Sequence, residues 1–445
     1  MLTVPDFITQ FIDIFKNAGY QIYVVGGAVR DLLLNKQPTN WDFTTNATPD
    51  EILKLFPQAY YNNIYGTVSI PANKELTIFE VTPFRKEEKY QDFRHPQKIE
   101  WAKTIEEDLA RRDFTINTIA YDGKKLVDLF NGQRDLKEKL IKAVGNPDKR
   151  FQEDGLRLIR AIRIACELGF FIEENTRQAI EKNAFLITKI SWERIRDEFL
   201  KILASNNPSD GILFLRNTKL LAHILPELDR CFSIPQKSPK RHHIYDVGTH
   251  LVMSLKHCPS KDPITRFATL LHDIGKAKTF NKDEKTGLIT FYNHEIVGKK
   301  LTEKIADRFR LSNKQKEKLV RLVAYHQFSV SEKQTDKAIR RFIRNVGKEY
   351  LQDMLSLRVA DRLGSGAKAT SWRFELFKKR LIEVQKVPFK ITDLKIDGYD
   401  VMNILKIKPS PKVGEVLKKI FEQVEKGELK NEREVLLKEI EKFKN

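Results

Sequence analysis

The chain has 445 residues, 41% of them hydrophobic, with 79 Lys and Arg against 60 Asp and Glu and a formal net charge of +19. That length suits about three or four domains with proper cores, and the positive balance (pI near 9.5) points to a polyanionic partner, most simply nucleic acid. The widely spaced Cys166, Cys231 and Cys258 exclude a disulfide framework and lack zinc spacing; no apolar run nears the ~20 residues of a membrane span, and no signal peptide opens the chain, so a cytoplasmic protein with no membrane association and no obligatory protein partner is expected.

Residues 4–19 carry Phe7, Ile8, Phe11, Ile12, Ile14 and Phe15 at helical spacing. Residues 22–25 then read as a buried strand. It breaks into Gly26-Gly27 before a helical segment, and glycines at such a junction let backbone N–H groups approach a phosphate. If residues 40–43 form a strand, Asn40 and Asp42 share a face, and two carboxylates there would hold magnesium ions for in-line attack on a nucleoside triphosphate. Only Asp42 is a carboxylate; Asn40 is its neutral isostere. Thr48 and Pro49 open another helix. Strands are expected at 67–70 and 76–81, and Glu80 on the second faces either the metal or solvent. Residues 85–107 are polar and poorly periodic, the pattern of a surface loop. Arg111 and Arg112, close to Asp113 and Asn117, suit a triphosphate and a ribose hydroxyl.

Residues 148–169 read as one helix on which Asp154 and Arg157, three apart, share a face; an intrahelical salt bridge is the plain structural reading of that pair. Residues 173–225 look all-helical, with Ser191 as a cap, and 233–240 read as a linker. Seven of the nine histidines fall between His242 and His326, a clustering that scattered core histidines would not give. The last segment has an apolar helical stripe from Val413 to Val424 and a helix that Asn431 is placed to cap.

Gly26-Gly27, Arg30-Asp31 and Asp42 together resemble the head of the polymerase-beta-like nucleotidyltransferases, in the branch of the tRNA nucleotidyltransferases (CCA-adding enzymes) and bacterial poly(A) polymerases. The family pattern has acids where this chain has Asn40 and Asp42. With the other motif positions intact, Asn40 reads as an Asp-to-Asn replacement, natural or engineered, that inactivates the chain. The run from Asp92 to Pro96 resembles the flexible loop that helps switch such enzymes from C to A, with Asp92 and Arg94 as its polar residues. The run from Asp108 to Asn117 resembles the family's RRD motif, residues 127–135 its hinge, residues 191–198 its helix-stabilising motif, and Glu153-Asp154-Gly155-Leu156-Arg157 its base-selecting EDxxR motif. The resemblance implies that Gly26, Gly27, Arg30 and Arg111 contact phosphates, that Asp113 and Asn117 lie at the nucleotide, and that Asp154 and Arg157 choose the base. The last role is chemically apt. Arg157 only donates and Asp154 only accepts, so cytosine and adenine fit the pair whereas guanine and uracil set donor against donor, at about 1–3 kcal/mol per bidentate contact.

His250, His272-Asp273 within LLHDIGK, and Asp361 within ADRLG match the ligand order of HD-type metal phosphohydrolases, with His294 and His326 where further ligands of a second metal stand. Imidazole and carboxylate imply a divalent transition metal that would activate water for phosphoester hydrolysis. The resemblance implies an α+β fold: a nucleotidyltransferase head (1–145) with a small mixed sheet, then an all-α neck (146–235), HD domain (236–365) and tRNA-binding tail (366–445). It implies template-independent addition of C, C and A to the 3′ end of tRNA from CTP and ATP, with Mg2+ at Asp42. A poly(A) polymerase, a CC- or A-adding enzyme, and an HD phosphohydrolase with an inert RNA-binding head remain the alternatives.

Overall fold

Four apolar side chains dock the first helix, Asp6–Asn17, onto the head. Ile8, Phe11, Ile12 and Phe15 are buried, and the Phe11 ring centroid lies 4.7 Å from those of both Phe43 and Phe79. Each fully buried side chain of this kind contributes roughly 1.5–3 kcal/mol. Phe7 and Ile14 sit at the margins of the stripe and stay 40% and 43% exposed. The structure is a computed structural model that describes residues 2–61, 66–71, 78–90, 96–236, 245–385, 391–426 and 428–444.

The helix covers a seven-stranded mixed sheet. Its strands are β1 (Ile22–Val25), β2 (Asp42–Thr45), β3 (Tyr60–Tyr61), β4 (Val68–Pro71), β5 (Ile78–Pro83) and, after a separate hairpin, β8 (Ala120–Tyr121) and β9 (Leu126–Val127). The spatial order is β3-β4-β5-β2-β1-β8-β9. β2 is central, antiparallel to β1 and parallel to β5, with Asp42 opposite both Val25 and Glu80. Asn40 lies in a bend before the strand rather than on it. On one side the register shows why: Val25 is the last residue of β1 and the chain turns away at Gly26, so β1 offers residue 40 no partner.

The polar stretch expected to be a loop is largely a hairpin. β6 (Arg85–Tyr90) pairs antiparallel with β7 (Pro96–Trp101) from Arg85↔Trp101 to Tyr90↔Pro96. The sequence there, charged at every position from Arg85 to Lys89, has no apolar alternation to betray a strand. Asp92 and Arg94 fall outside the described residues.

The neck begins with a second departure. The expected helix is two, Pro147–Glu153 and Leu156–Leu168, broken where Asp154 adopts extended backbone (φ −142°, ψ 107°) and its side chain accepts from the Leu156 N–H at 3.0 Å. A short parallel pair, Leu140–Ile141 with Phe171–Ile172, ties head to neck. Buried Arg266 binds neck to the next layer of helices by donating Nη1 to the carbonyls of Leu203 (2.6 Å) and Ser205 (2.7 Å). The apolar core runs on without a gap from Ile8 to Val384, so the helix Trp372–Val384 packs with what precedes it. A separate core starts only at Leu394 and ends at Ile440. Asn431 does not cap the final helix; it accepts from Lys395 N–H and donates to the Asp393 carbonyl, both at 3.0 Å, stapling that helix to the segment before it. Among the described residues no helix is long and apolar enough to cross a membrane.

Candidate active site and metal centre

Where the exposed end of β2 meets the neck helix Leu156–Leu168, a cleft of about 550 Å3 opens. Of the residues singled out in the sequence, Gly26, Gly27, Arg30, Asn40, Asp42, Arg111, Arg112, Asp113, Asn117, Asp154 and Arg157 line it, and Glu80 does not. Gly26 has φ 72°, and a Cβ there would lie 3.6 Å from Asp42 Oδ2 and 3.8 Å from Arg112 Nη1. Glycine therefore both permits the turn and keeps the space beside the carboxylate open. Asp42 and Glu80, side by side on parallel strands, both have carboxyls raised above the ordinary value. Loss of hydration is the main cause for each; Asp42 adds repulsion at Glu80, and Arg112 partly offsets the rise at Asp42. Crowded carboxylates with raised pKa values are a cation site in the making.

The arginine pair is held from below. Asp108 is fully buried; one of its oxygens accepts from Arg111 Nε and Nη2 (3.0 and 2.6 Å), the other from Arg112 Nε and Nη2 (3.3 and 2.9 Å) and from Thr44 Oγ1 (3.3 Å). Burial alone would raise this carboxyl, but the two guanidiniums bring it down to about 2. Each Arg is thus held at the cleft wall from a fixed base. Asp113 accepts from Arg160 Nε and Nη2 (3.0 and 2.6 Å) and from Asn117 Nδ2 (3.3 Å), and Asn117 accepts from Arg30 Nη1 (3.1 Å). Burial opposes ionisation there too, and Arg160 outweighs it.

Asp154 and Arg157 share the cleft but do not pair on one helix face, because the break at Asp154 separates them. Asp154 Oδ2 accepts from Arg194 Nη2 at 3.0 Å. Arg157 donates Nη1 to Glu153 Oε2 (2.6 Å) and the Arg150 carbonyl (3.0 Å), and Nη2 to the Arg111 carbonyl (3.0 Å). The plain intrahelical bridge is therefore absent, and each residue is oriented by a different partner. Asp108, Arg160, Arg163 and Arg194 are the site residues that sequence reasoning passed over. An aspartate three and four residues before two arginines is a signal for Asp108; for Arg194, forty residues from Asp154, there is none.

The second constellation lies among later helices. His250, His272 and Asp273 form one potential metal-binding group, and Asp273, His294 and His326 another, all buried. His250 comes from the helix Val247–Lys256, His272 caps Pro263–Leu271, His294 opens His294–Arg308, and Asp361 lies on Leu351–Gly364. Gly275 allows the closeness: a Cβ there would stand 2.0 Å from the His294 carbonyl oxygen.

Nδ1 of His272, His294 and His326 lies 2.7, 2.9 and 2.7 Å from the carbonyls of Thr269, Phe291 and Val323. A carbonyl only accepts, so each Nδ1 carries a proton and each Nε2 is turned inward towards Asp273. His250 Nε2 is 3.2 Å from His272 Nε2, and each is 3.5 Å from Asp273 Oδ2 and 3.3 and 3.6 Å, respectively, from Asp361 Oδ1. Donors around a tetrahedral ion with arms of about 2.0–2.2 Å stand roughly 3.3–3.6 Å apart. The other oxygen, Asp273 Oδ1, lies 3.2 Å from His294 Nε2 and 3.4 Å from His326 Nε2. Burial would raise both carboxyls. Lys276 and the histidines hold Asp273 well below the usual range, and His250 and His272 do the same for Asp361.

Comparison with known proteins bears on the family. The poly A polymerase head domain matches residues 22–142, an RNA-binding-site model of polymerase A residues 169–232, and a tRNA nucleotidyltransferase domain 2 model residues 279–440. The chain is 30% identical to the CCA-adding enzyme of Ligilactobacillus salivarius, over 99% of this chain and 98% of that one. The chain belongs to the tRNA nucleotidyltransferase family. Within it, the A-adding tRNA nucleotidyltransferase of Deinococcus radiodurans is 33% identical over 91% of this chain and 92% of that one. The Bacillus stearothermophilus CCA-adding enzyme, solved in complex with CTP, superposes with a TM-score of 0.71 at 26% identity, covering 99% of this chain and 98% of that one. The α+β head followed by helical domains is thus the fold of this family, and in the cleft under the neck Asp42 and the head's arginines meet Asp154 and Arg157.

Proposed function

We infer that the chain adds C, C and A to the 3′ end of tRNA, without a nucleic-acid template, from CTP and ATP. The observation that carries this is the single cleft in which the Gly26 turn, Asp42 and the Asp108-anchored arginines face the neck's Asp154 and Arg157, in a chain similar along its whole length to enzymes of that name. The tRNA 3′-hydroxyl attacks the α-phosphate, the bond to the β-phosphate breaks, and pyrophosphate leaves. Gly26, Gly27, Arg30 and Arg111 bind the triphosphate, and Asp113 and Asn117 bear on the ribose. Asp42, with Glu80 beside it and the amide of Asn40 at the cleft, would hold Mg2+, which supplies charge neutralisation at the reacting phosphate.

Arg157 spends three of its five N–H donors on Glu153 and two carbonyls, leaving two for the base edge, and Asp154 keeps lone pairs beside Arg194 for an exocyclic amine. The A-adding relative keeps addition of a single A as the alternative. The test is incorporation of labelled CTP and ATP into tRNA lacking its CCA end and into tRNA ending in CC. C and A on the first substrate are expected; A on the second with neither on the first would make it an A-adding enzyme. The division at 145, 235 and 365 goes with this reading, although the separate tail core at Leu394 argues for moving the last boundary towards 390.

We further propose that His250, His272, Asp273 and Asp361 hold a divalent transition metal, with His294 and His326 completing a second position through the other oxygen of Asp273, in an HD-type phosphohydrolase site. The convergence of His250 Nε2, His272 Nε2, Asp273 Oδ2 and Asp361 Oδ1 within 3.2–3.6 Å, the spacing of donors around one ion, supports the reading. A metal bound there would supply activated water for phosphoester hydrolysis. Lys276, 2.6 Å from Asp273 Oδ2, keeps that carboxylate ionised and oriented. Elemental analysis after reconstitution and a phosphoester panel test it; no metal and no hydrolysis would leave the domain a scaffold.

A further inference from the structure

We propose that Arg358 is the substrate-phosphate grip of the histidine site, a role that rests on the phosphohydrolase reading above. A cavity of about 450 Å3 opens over the donor cluster, lined by His272, Asp273, His294, His326 and Asp361 and by two permanent cations, Lys276 and Arg358. The two cations differ in what they have left to give. Lys276 is spent: its ammonium donates to Asp273 Oδ2 at 2.6 Å and to buried Gln236 Oε1 at 2.7 Å. Arg358 is not. Among the described residues its single hydrogen bond is a long one, Nη1 to Asp361 Oδ2 at 3.4 Å, and its Nε is buried with no partner.

A guanidinium kept beside a metal-binding cluster with most of its five donors unmatched is costly unless something fills them. Its planar fork fits two non-bridging oxygens of one phosphate. The placement also limits its freedom. Arg358 lies one helical turn before Asp361 on the helix Leu351–Gly364, and its guanidinium carbon stands 5.4 Å from the centre of the Phe328 ring. The aromatic face and the helix hold the fork at the cavity wall, next to the carboxylate that faces His250 and His272. A phosphoester bound to the fork therefore has its phosphorus beside the proposed metal position, and the leaving alcohol is directed along the cavity.

The experiment is calorimetric titration of the full chain with inorganic phosphate, in a saturating non-hydrolysable CTP analogue that occupies the arginines of the head cleft. It is run metal-reconstituted and metal-free on the unaltered chain, Arg358→Met and Arg358→Lys. Arg358→Met should weaken phosphate about ten- to a hundredfold, with metal content and melting temperature unchanged. Arg358→Lys should fall between, because a point charge lacks the fork. Where hydrolysis is measured, KM should rise more than kcat falls. Equal phosphate affinity in Arg358→Met, or no phosphate binding by the unaltered chain in either form, overturns the proposal. So does a loss of metal that parallels the loss of phosphate, since Arg358 would then act only through Asp361. If reconstitution gives no metal but Arg358-dependent phosphate binding persists, the hydrolase reading fails and the anion grip stands.

Discussion

Replacing Asp108 with Asn removes the buried charge on which Arg111 and Arg112 rest. The carboxyl sits at about 2 in the folded protein against an ordinary 3.8, and at ~1.4 kcal/mol per unit this is roughly 2–3 kcal/mol of stability at neutral pH. Side chains this well buried need little discount for solvent screening. The sign follows from the depressed value: the contribution is complete above pH ~4 and is lost as pH falls towards 2, with about half remaining at pH 3. Asn also turns an amide donor toward guanidiniums that can only donate, so the change should not fall short of the linkage figure. Function should suffer through the same atoms. Arg111 loses its anchor, and KM for CTP should rise while tRNA, held over a much larger surface, binds nearly as before. The assays are urea unfolding with hydrogen exchange followed over residues 105–117, at pH 7 and pH 3, and nucleotide kinetics at pH 7. A variant with the same midpoint, protection and KM as the unaltered chain, or a deficit no smaller at pH 3, would refute the account.

Asn40→Asp should raise incorporation by about a hundredfold or more, the equivalent of several kcal/mol of metal-borne charge stabilisation, because an uncharged amide is a poor magnesium ligand; equal rates in a single-turnover assay would end the two-carboxylate account. Arg157→Ala should erode discrimination against GTP and UTP by about 1–3 kcal/mol per lost bidentate contact, and Asp154→Ala should weaken C and A use; misincorporation assays that find full selectivity in both variants would refute the protein template. Asp273→Ala should abolish metal binding and phosphoester hydrolysis, read by elemental analysis and colorimetric assay, and leave nucleotide incorporation nearly intact; a parallel loss of both activities would mean the two sites are not separate.

How far the sequence carried depends on whether the signal was local. Gly26-Gly27, Asp42, Arg111 and Asp113 each lie in a short run whose spacing carries its own chemistry, and all reach one cleft. Of the clustered histidines, His250, His272, His294 and His326 are brought together around Asp273, whereas His257 is not. Misreadings came where partners are remote. Asn40 was placed on a strand, yet strand ends are set by the neighbouring strand, and Val25 is where β1 stops. Residues 85–101 hid a hairpin because their sequence has no apolar alternation. Asp154 and Arg157 looked like one helix face until Asp154 took extended backbone and bound Arg194 forty residues on. Asn431 had the sequence of a cap, but its amide was taken by backbone groups of residues 393 and 395.

The two candidate sites differ in how their carboxylates are prepared, and the difference matches what each would be asked to do. At the head, Asp42 and Glu80 are raised because they lose water and, at Glu80, because they repel each other. Such a pair gains most when a cation arrives, and a nucleoside triphosphate brings magnesium with it, so ion and substrate can come and go together at each addition. In the histidine site the carboxylates are held ionised before any metal is present, Asp273 by Lys276 and the histidines and Asp361 by His250 and His272. Three of the imidazoles are oriented by backbone carbonyls, and the donor atoms already stand at ligand spacing. Nothing there needs to be rearranged by a substrate, which is the preparation suited to a resident ion. On the proposed reading, the head cleft would therefore suit a metal that travels with its nucleotide, and the histidine site one that stays.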